Sequence, residues 1–107
     1  MQLSVDTSMV EETTKPSSSR VFDHWYSTDH LPWAIKAFKC EKAWRFWSET
    51  EKGVHYAVYQ FIDHGACDAA LGSDEFKAMV SDFNNTWPEG VTRTREVVTL
   101  VEERVGR

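Results

Sequence analysis

Val54 to Asp63 constrains the fold more than any other stretch of this chain. His55, Ala57, Tyr59 and Phe61 alternate onto one face of a strand and Val54, Tyr56, Val58 and Ile62 onto the other, so both faces are mostly apolar. Such a strand must be covered on both sides. At 107 residues the chain is read as one domain, 1–107, and the helices of so small a domain cover one face of a sheet. The second face calls for another copy of the chain.

The remaining elements follow from local signals. Gln2–Thr7, with Leu3 and Val5 alternating, reads as a first strand. Residues 8–19 are polar and turn-rich, and read as a connecting loop with freedom to move. Ser17–Ser19 offer an N-cap to a first helix, which is expected to run to about His30 and to stop there because of Pro32. Ala34–Lys39 is a connector of ambiguous type. From Cys40 the period changes, with Trp44, Phe46 and Ser48 on one side of a second strand and Ala43, Arg45 and Trp47 on the other; a charged turn ending at Gly53 leads into the strand from Val54. A short helix over Ala66–Leu71 is interrupted by Gly72. Ser73 then caps a helix whose stripe is Phe76, Met79, Val80, Phe83 and Trp87, and Thr92–Glu102 is the last strand. The order β-α-β-β-α-β is the ferredoxin-like arrangement, an α+β fold with a four-stranded antiparallel sheet and two helices on one face.

Charge and cysteine usage exclude several classes of function. Twelve basic against seventeen acidic residues give a net charge of −5 without a basic stripe, which argues against nucleic acid. No apolar run reaches the ~18 residues that cross a bilayer. The two cysteines, Cys40 and Cys67, lack CxxC spacing and, with no signal peptide evident, read as reduced thiols of a cytoplasmic protein. Aromatic content is 13%, with five Trp, more than a core of this size uses, so rings remain for a pocket or an interface.

The chemistry-bearing residues concentrate between Phe22 and Pro32. At roughly 100° per residue, Phe22, Trp25, Tyr26, Asp29, His30 and Trp33 share one helical face, and His24 and Ser27 lie opposite. His30 is the candidate acid/base, because an imidazole ordinarily titrates near neutrality, and Asp29 or Tyr26 is placed to orient it. His55, which shares a strand face with Tyr59, is a second catalytic candidate. Trp25, Trp33, Trp47 and Tyr59 are candidate substrate-binding residues, and Trp44 and Tyr56 are further rings for an aromatic lining. Each has a structural alternative: a histidine paired within the core, or aromatics serving as core and interface. Arg45, Arg93 and Arg95 are able to hold a carboxylate or phenolate, with cross-strand pairing to Glu96 or Glu102 as the structural alternative. No HxxxH, HExxH or thiolate pair marks a metal site, so none is assigned and no cofactor is expected, although a single histidine is compatible with haem ligation.

The run Phe22-x-x-Trp25-Tyr26-x-x-x-His30-Leu31-Pro32 resembles the helix-one signature of dimeric α/β-barrel proteins, particularly their EthD-like and related small members. The resemblance covers about residues 20–103 and departs from the pattern where a Pro-Gly before the second strand is replaced around Phe38-Lys39. It implies a homodimer with sheets face to face, helices outside, and a pocket between each sheet and its helices close to His30. Such barrels host varied chemistry, so fold does not decide reaction. The expected function is a small-molecule enzyme acting on an aromatic or polyketide-like metabolite by proton transfer: cyclisation, isomerisation or cofactor-free oxygenation. The alternative is a non-catalytic metabolite-binding or pathway accessory protein, favoured by the lack of a recognisable cofactor motif or nucleophile–base pair.

Overall fold

The computed structural model describes residues 7–14 and 19–106. Along the chain come β1 (Thr7–Thr14), α1 (Ser19–Trp25), a π-helical turn (Tyr26–His30), α2 (Leu31–Phe38), β2 (Lys42–Trp47), β3 (Val54–Phe61), α3 (His64–Leu71), α4 (Asp74–Thr86) and β4 (Thr92–Thr99). The strands form one antiparallel sheet in the order β2-β3-β1-β4. This is the ferredoxin-like topology expected, with each of the two crossovers built from a pair of helices.

The first strand differs from expectation. Residues 8–14, read as loop, are most of β1, one of the two central strands, while Gln2–Asp6 lie outside the described residues. Thr7, Met9, Glu11 and Thr13 are its buried face. Three of those four are polar, so the apolar alternation that marks a strand is missing, and neighbours on both sides supply the pairing instead.

The helix after it also departs from expectation, because Pro32 does not end it. Leu31 donates its backbone N–H to the Tyr26 carbonyl five residues back, which widens the turn before the proline. Pro32 thereby stands in the first turn of α2, where a missing N–H is tolerated. The Thr28 hydroxyl donates to the His24 carbonyl at 2.8 Å, giving that oxygen a partner within the altered turn. Ala34–Lys39, the ambiguous connector, is thus mostly helix. Lys39 closes it with φ 55°, taking the left-handed position that a glycine commonly fills.

The wide turn resets the helical phase. Phe22, Tyr26, His30, Ala34 and Phe38 are all buried, a strict spacing of four. On an unbroken α-helix each such step drifts by about 40°, and the π turn absorbs part of that drift. Asp29 and Trp33, placed inward by a uniform helical wheel, consequently face out: Asp29 is exposed and Trp33 is 37% exposed.

The rest follows the patterns, except that the last strand, expected to reach Glu102, ends at Thr99. Gly53 has φ 82° in the β2–β3 turn, where the Ser48 hydroxyl accepts from the N–H groups of Thr50 and Glu51. Asp63 caps α3 by accepting from Ala66 N–H at 2.8 Å, and Ser73 caps α4 by accepting from Phe76 N–H at 3.1 Å. His55, Ala57, Tyr59 and Phe61 of β3 are buried against the helices with Phe22, Tyr26, Met79 and Phe83. The opposite sheet face carries Val10, Trp44, Phe46, Tyr56, Val58 and Val98, of which Phe46 is 51% exposed. No helix among the described residues is long and apolar enough to cross a membrane.

Candidate functional site

Three strands and three helical elements meet around a cavity between the sheet and the helices. β1 contributes Met9 and Glu11, β3 Tyr59, β4 Arg93 and Arg95, and the helices His30, Phe38, Phe76, Met79 and Val80. Its free space, about 220 Å³ between atoms, is so divided by side chains that it holds about one water as it stands. A larger occupant requires side chains to move.

A hydrogen-bonded chain borders this space. Arg95 Nε donates to Glu11 Oε2 at 2.8 Å, across the register pair Glu11↔Arg95. Tyr26 Oη donates to Glu11 Oε1 at 3.3 Å and lies 3.0 Å from Tyr59 Oη, so Tyr59 is the donor in the second contact. Burial, with the neighbouring Tyr59 and Glu11 adding to it, holds the Tyr26 phenol well above its ordinary pKa; burial does the same to Tyr59. Both phenols are neutral donors and poor proton acceptors.

His30 lines the same cavity under different conditions. It is 4% exposed, lies against Trp25 at a centroid distance of 4.9 Å, and meets the Tyr26 ring edge-on at 4.7 Å. Neither of its ring nitrogens has a hydrogen bond among the described residues, and Nδ1 is fully buried. Burial first, then the charges of Arg93 and Arg95, lower its pKa to about 4. The free protein therefore holds a neutral imidazole, and the expectation that it titrates near neutrality is corrected.

A second polar cluster sits on the other side of Tyr26. Arg45 donates through Nε to His55 Nε2 at 3.0 Å and through its terminal nitrogen to Asp23 Oδ1 at 2.6 Å, and Trp47 Nε1 donates to the same carboxylate oxygen at 2.8 Å. Accepting from Arg45 makes His55 Nε2 the unprotonated nitrogen, so its Nδ1 carries the hydrogen. Burial and Arg45 lower the His55 pKa to about 4, with Asp23 opposing. The Trp47 hydrogen bond holds Asp23 below its ordinary value, with Arg45 adding to that and burial opposing it.

Of the residues expected at a site, His30 and Tyr59 line the cavity and Tyr26 bonds to two of its walls. Trp25 backs His30 rather than lining the space. His55 and Trp47 belong to the second cluster, because β2 and β3 place them nearer the N-terminal part of α1: both rings lie edge-on to Phe22, His55 at a centroid distance of 5.5 Å and Trp47 at 6.1 Å. Asp29 and Trp33 face away, for the helical-phase reason given above. Trp44 and Tyr56 project from the other sheet face, since they alternate with Arg45 and His55. Arg95 pairs with Glu11 and Arg45 with Asp23, so the pairing with Glu96 or Glu102 is not made. Glu11 was hidden by the loop reading of its strand. Its signal was an acidic residue between Met9 and Thr13 on one side of a period-two pattern, in a segment containing Val10, Thr13 and Thr14.

Among the described residues no group of three His, Cys, Asp or Glu side chains is placed to hold a metal ion. Cys40 and Cys67 are free thiols, and burial raises the pKa of both.

No family model matches the sequence, and no curated protein matches it. Solved structures do resemble it in fold. An EthD family protein from Bacillus halodurans superposes with a TM-score of 0.66 at 18% identity, over 85% of this chain and 96% of that one. SnoaB, a cofactor-independent oxygenase from Streptomyces nogalater, gives a TM-score of 0.72 at 11% identity, over 94% of this chain and 97% of its own. A Caulobacter crescentus protein, with a proposed role as an antibiotic biosynthesis monooxygenase, gives 0.66 at 22% identity over 92% of each. With its sheet order, its paired helical crossovers and these neighbours together, the chain has a ferredoxin-like fold shared with these structures.

Proposed function

We propose that this chain is a small-molecule enzyme that acts on an aromatic or polyketide-like metabolite by proton transfer in the cavity between sheet and helices. The observation that carries this reading is His30: a buried, neutral imidazole on the cavity wall with no hydrogen bond at either nitrogen among the described residues. A core histidine placed for packing normally pairs its polar atoms. Here a nitrogen lone pair is left to take a proton from a bound substrate, and Tyr59 and Glu11 stand on the same walls. Proton removal next to an aromatic ketone yields an enolate, which isomerises, cyclises or reacts with dioxygen. The likeness in fold to a cofactor-independent oxygenase supports the last of these.

Anthrone, whose methylene is acidified by two rings and a tautomerising carbonyl, tests the oxygenation branch. The methylene gives one proton to His30, the carbanion takes up one dioxygen, the resulting peroxide takes the proton back from His30, and loss of one water leaves the quinone. Oxygen uptake above the protein-free rate is expected to fall ~100-fold or more in His30→Gln and His30→Ala. Undiminished uptake in folded variants would reject His30 as the base.

A second reading is supported by one observation: Tyr26, Tyr59, Glu11 and Arg95 satisfy one another, and the space beside them is nearly filled. In that reading the protein sequesters a metabolite without changing it. Native mass spectrometry of the purified chain discriminates, since a co-purified molecule that survives incubation unchanged favours sequestration.

The assembly proposed is a homodimer with its outer sheet faces packed together. Trp44, Phe46 and Val98 are 39–51% exposed on that face, beside Val10, Tyr56 and Val58, and a contiguous apolar surface of this kind is seldom left to water. Sedimentation should give a dimer at micromolar concentration, and Trp44→Glu should shift it to monomer. A monodisperse monomer of the unmodified chain would overturn the assembly.

A further inference from the structure

The cavity has an unbalanced charge. Its walls carry two guanidinium groups, Arg93 and Arg95, and one carboxylate, Glu11, while His30 is neutral. Arg95 is matched to Glu11 at 2.8 Å, and Glu11 is also held by Tyr26. Arg93 has no hydrogen bond and no carboxylate within ion-pair distance among the described residues. Its guanidinium carbon instead lies 3.9 Å from the centroid of the buried Phe83 ring, a contact that holds the group in place without using an N–H donor. A half-buried guanidinium with no protein partner for its donors keeps them for solvent or for an anion that enters the cavity.

We infer that Arg93 is the anchor for a carboxylate carried by a planar aromatic ligand, bound so that the ring lies against the apolar walls and His30. The inference rests on the cavity being the ligand site and names the class of ligand it takes. A carboxylate suits the guanidinium because two N–H donors meet two oxygens in one plane. With side chains moved to open the space, Phe38, Phe76, Met79 and Val80 are the apolar walls the ring would meet. Glu11 does not repel the newcomer strongly, since its charge is already engaged by Arg95. The anion also changes the base: it offsets the guanidinium charges that help hold the His30 pKa down, so the ligand itself makes the imidazole a better proton acceptor.

The test is calorimetric titration of the full-length protein with three probes at pH 8.5: 2-naphthoate, its neutral isostere 2-naphthamide, and 4-nitrophenolate. The unmodified protein is expected to bind naphthoate ~10-fold or more tighter than the amide, and Arg93→Gln to bring the two within ~2-fold while leaving the amide unchanged. Arg93→Lys, which keeps the charge but not the fork, should retain part of the preference. NMR titration of the unmodified protein gives an independent readout: naphthoate should raise the His30 pKa, and the amide should not.

Equal binding of naphthoate and amide, or a preference that survives Arg93→Gln, overturns the anchor while leaving the pocket intact. Arg93-dependent binding of nitrophenolate with rejection of naphthoate overturns the carboxylate assignment. Failure of the unmodified protein to bind any of the three overturns the pocket reading together with the anchor.

Discussion

Two polar clusters flank the Tyr26 ring, each containing one histidine, and they are completed differently. On the β2 side, Asp23, Arg45, His55 and Trp47 form a set in which one carboxylate meets one guanidinium and His55 Nε2 accepts a bond. On the β4 side, Glu11, Tyr26, Tyr59 and Arg95 close on one another, but Arg93 and His30 are left over. In the first cluster every charged group is paired, although His55 Nδ1, like His30 Nδ1, has no partner among the described residues. In the second, the guanidinium of Arg93 is left without an ion-pair partner among the described residues, and that difference, rather than the presence of a histidine, is what singles it out as the candidate site. His55 is as buried as His30 and titrates as low, yet its interactions are those of a structural group.

The largest effect expected is in acid, where both clusters lose together. Each imidazole has a folded-state pKa of about 4, below the ordinary 6.5, so on acidification the unfolded chain takes up protons first. Stability is fully present above the ordinary value, falls between pH 6.5 and about 4, and levels off for these groups below that. The loss is on the order of 3 kcal/mol per imidazole. Denaturant melts across this range, at one protein concentration, should separate the clusters: His30→Leu removes acid sensitivity at small cost near neutrality, whereas His55→Leu strands a donor of Arg45 and costs stability at every pH. Equal behaviour of the two variants would erase the distinction between them.

Glu11→Gln comes next. It removes the only carboxylate of the cavity wall and leaves Arg93 and Arg95 facing each other, so unfolding free energy should drop by about 3 kcal/mol. Adding Arg95→Gln should restore part of the loss, because the pair acts as a unit. A single-variant loss below about 1 kcal/mol would mean that solvent already screens the pair. Tyr26→Phe follows at about 1–2 kcal/mol, and more than Tyr59→Phe, since Tyr26 is the middle link: its loss takes a donor from Glu11 and an acceptor from Tyr59. Reversal of that order would contradict the direction assigned to the chain of hydrogen bonds.

What could be seen in the sequence follows the same division. β3, α4 and the turn at Gly53 are written in apolar period, cap residues and a glycine, signals that depend only on neighbours along the chain. Glu11 was unreadable for the opposite reason: a carboxylate belongs in a central strand only because Tyr26 and Arg95, 15 and 84 residues away, meet it there. Asp29 and Trp33 were misplaced by a different cause, a π turn that a uniform helical wheel does not contain. His30 stood out as a candidate by its residue type and its place beside Tyr26, and it lines the cavity. Arg93 was weighed as an anion anchor but set beside cross-strand pairing, and only the burial of Glu11 against Arg95 shows which of the two arginines is spent.

The smallest effect tests whether the two clusters are separate at all. Asp23 is half-exposed, with 49% of its side chain open, so Asp23→Asn should cost no more than about 1 kcal/mol despite removing the shortest contact of its set. Its informative consequence is local. Asp23 raises the His55 pKa against the opposing pull of burial and Arg45, so losing its charge should move His55 still lower. His30, whose pKa is set by burial, Arg93, Arg95 and His55, has no contribution from Asp23 and should hold its value. NMR titration of both imidazoles in one sample reads the two outcomes together. Movement of His30 along with His55 would mean that charge is felt through Tyr26 from one cluster to the other, and that a ligand carboxylate at Arg93 would reach His55 as well.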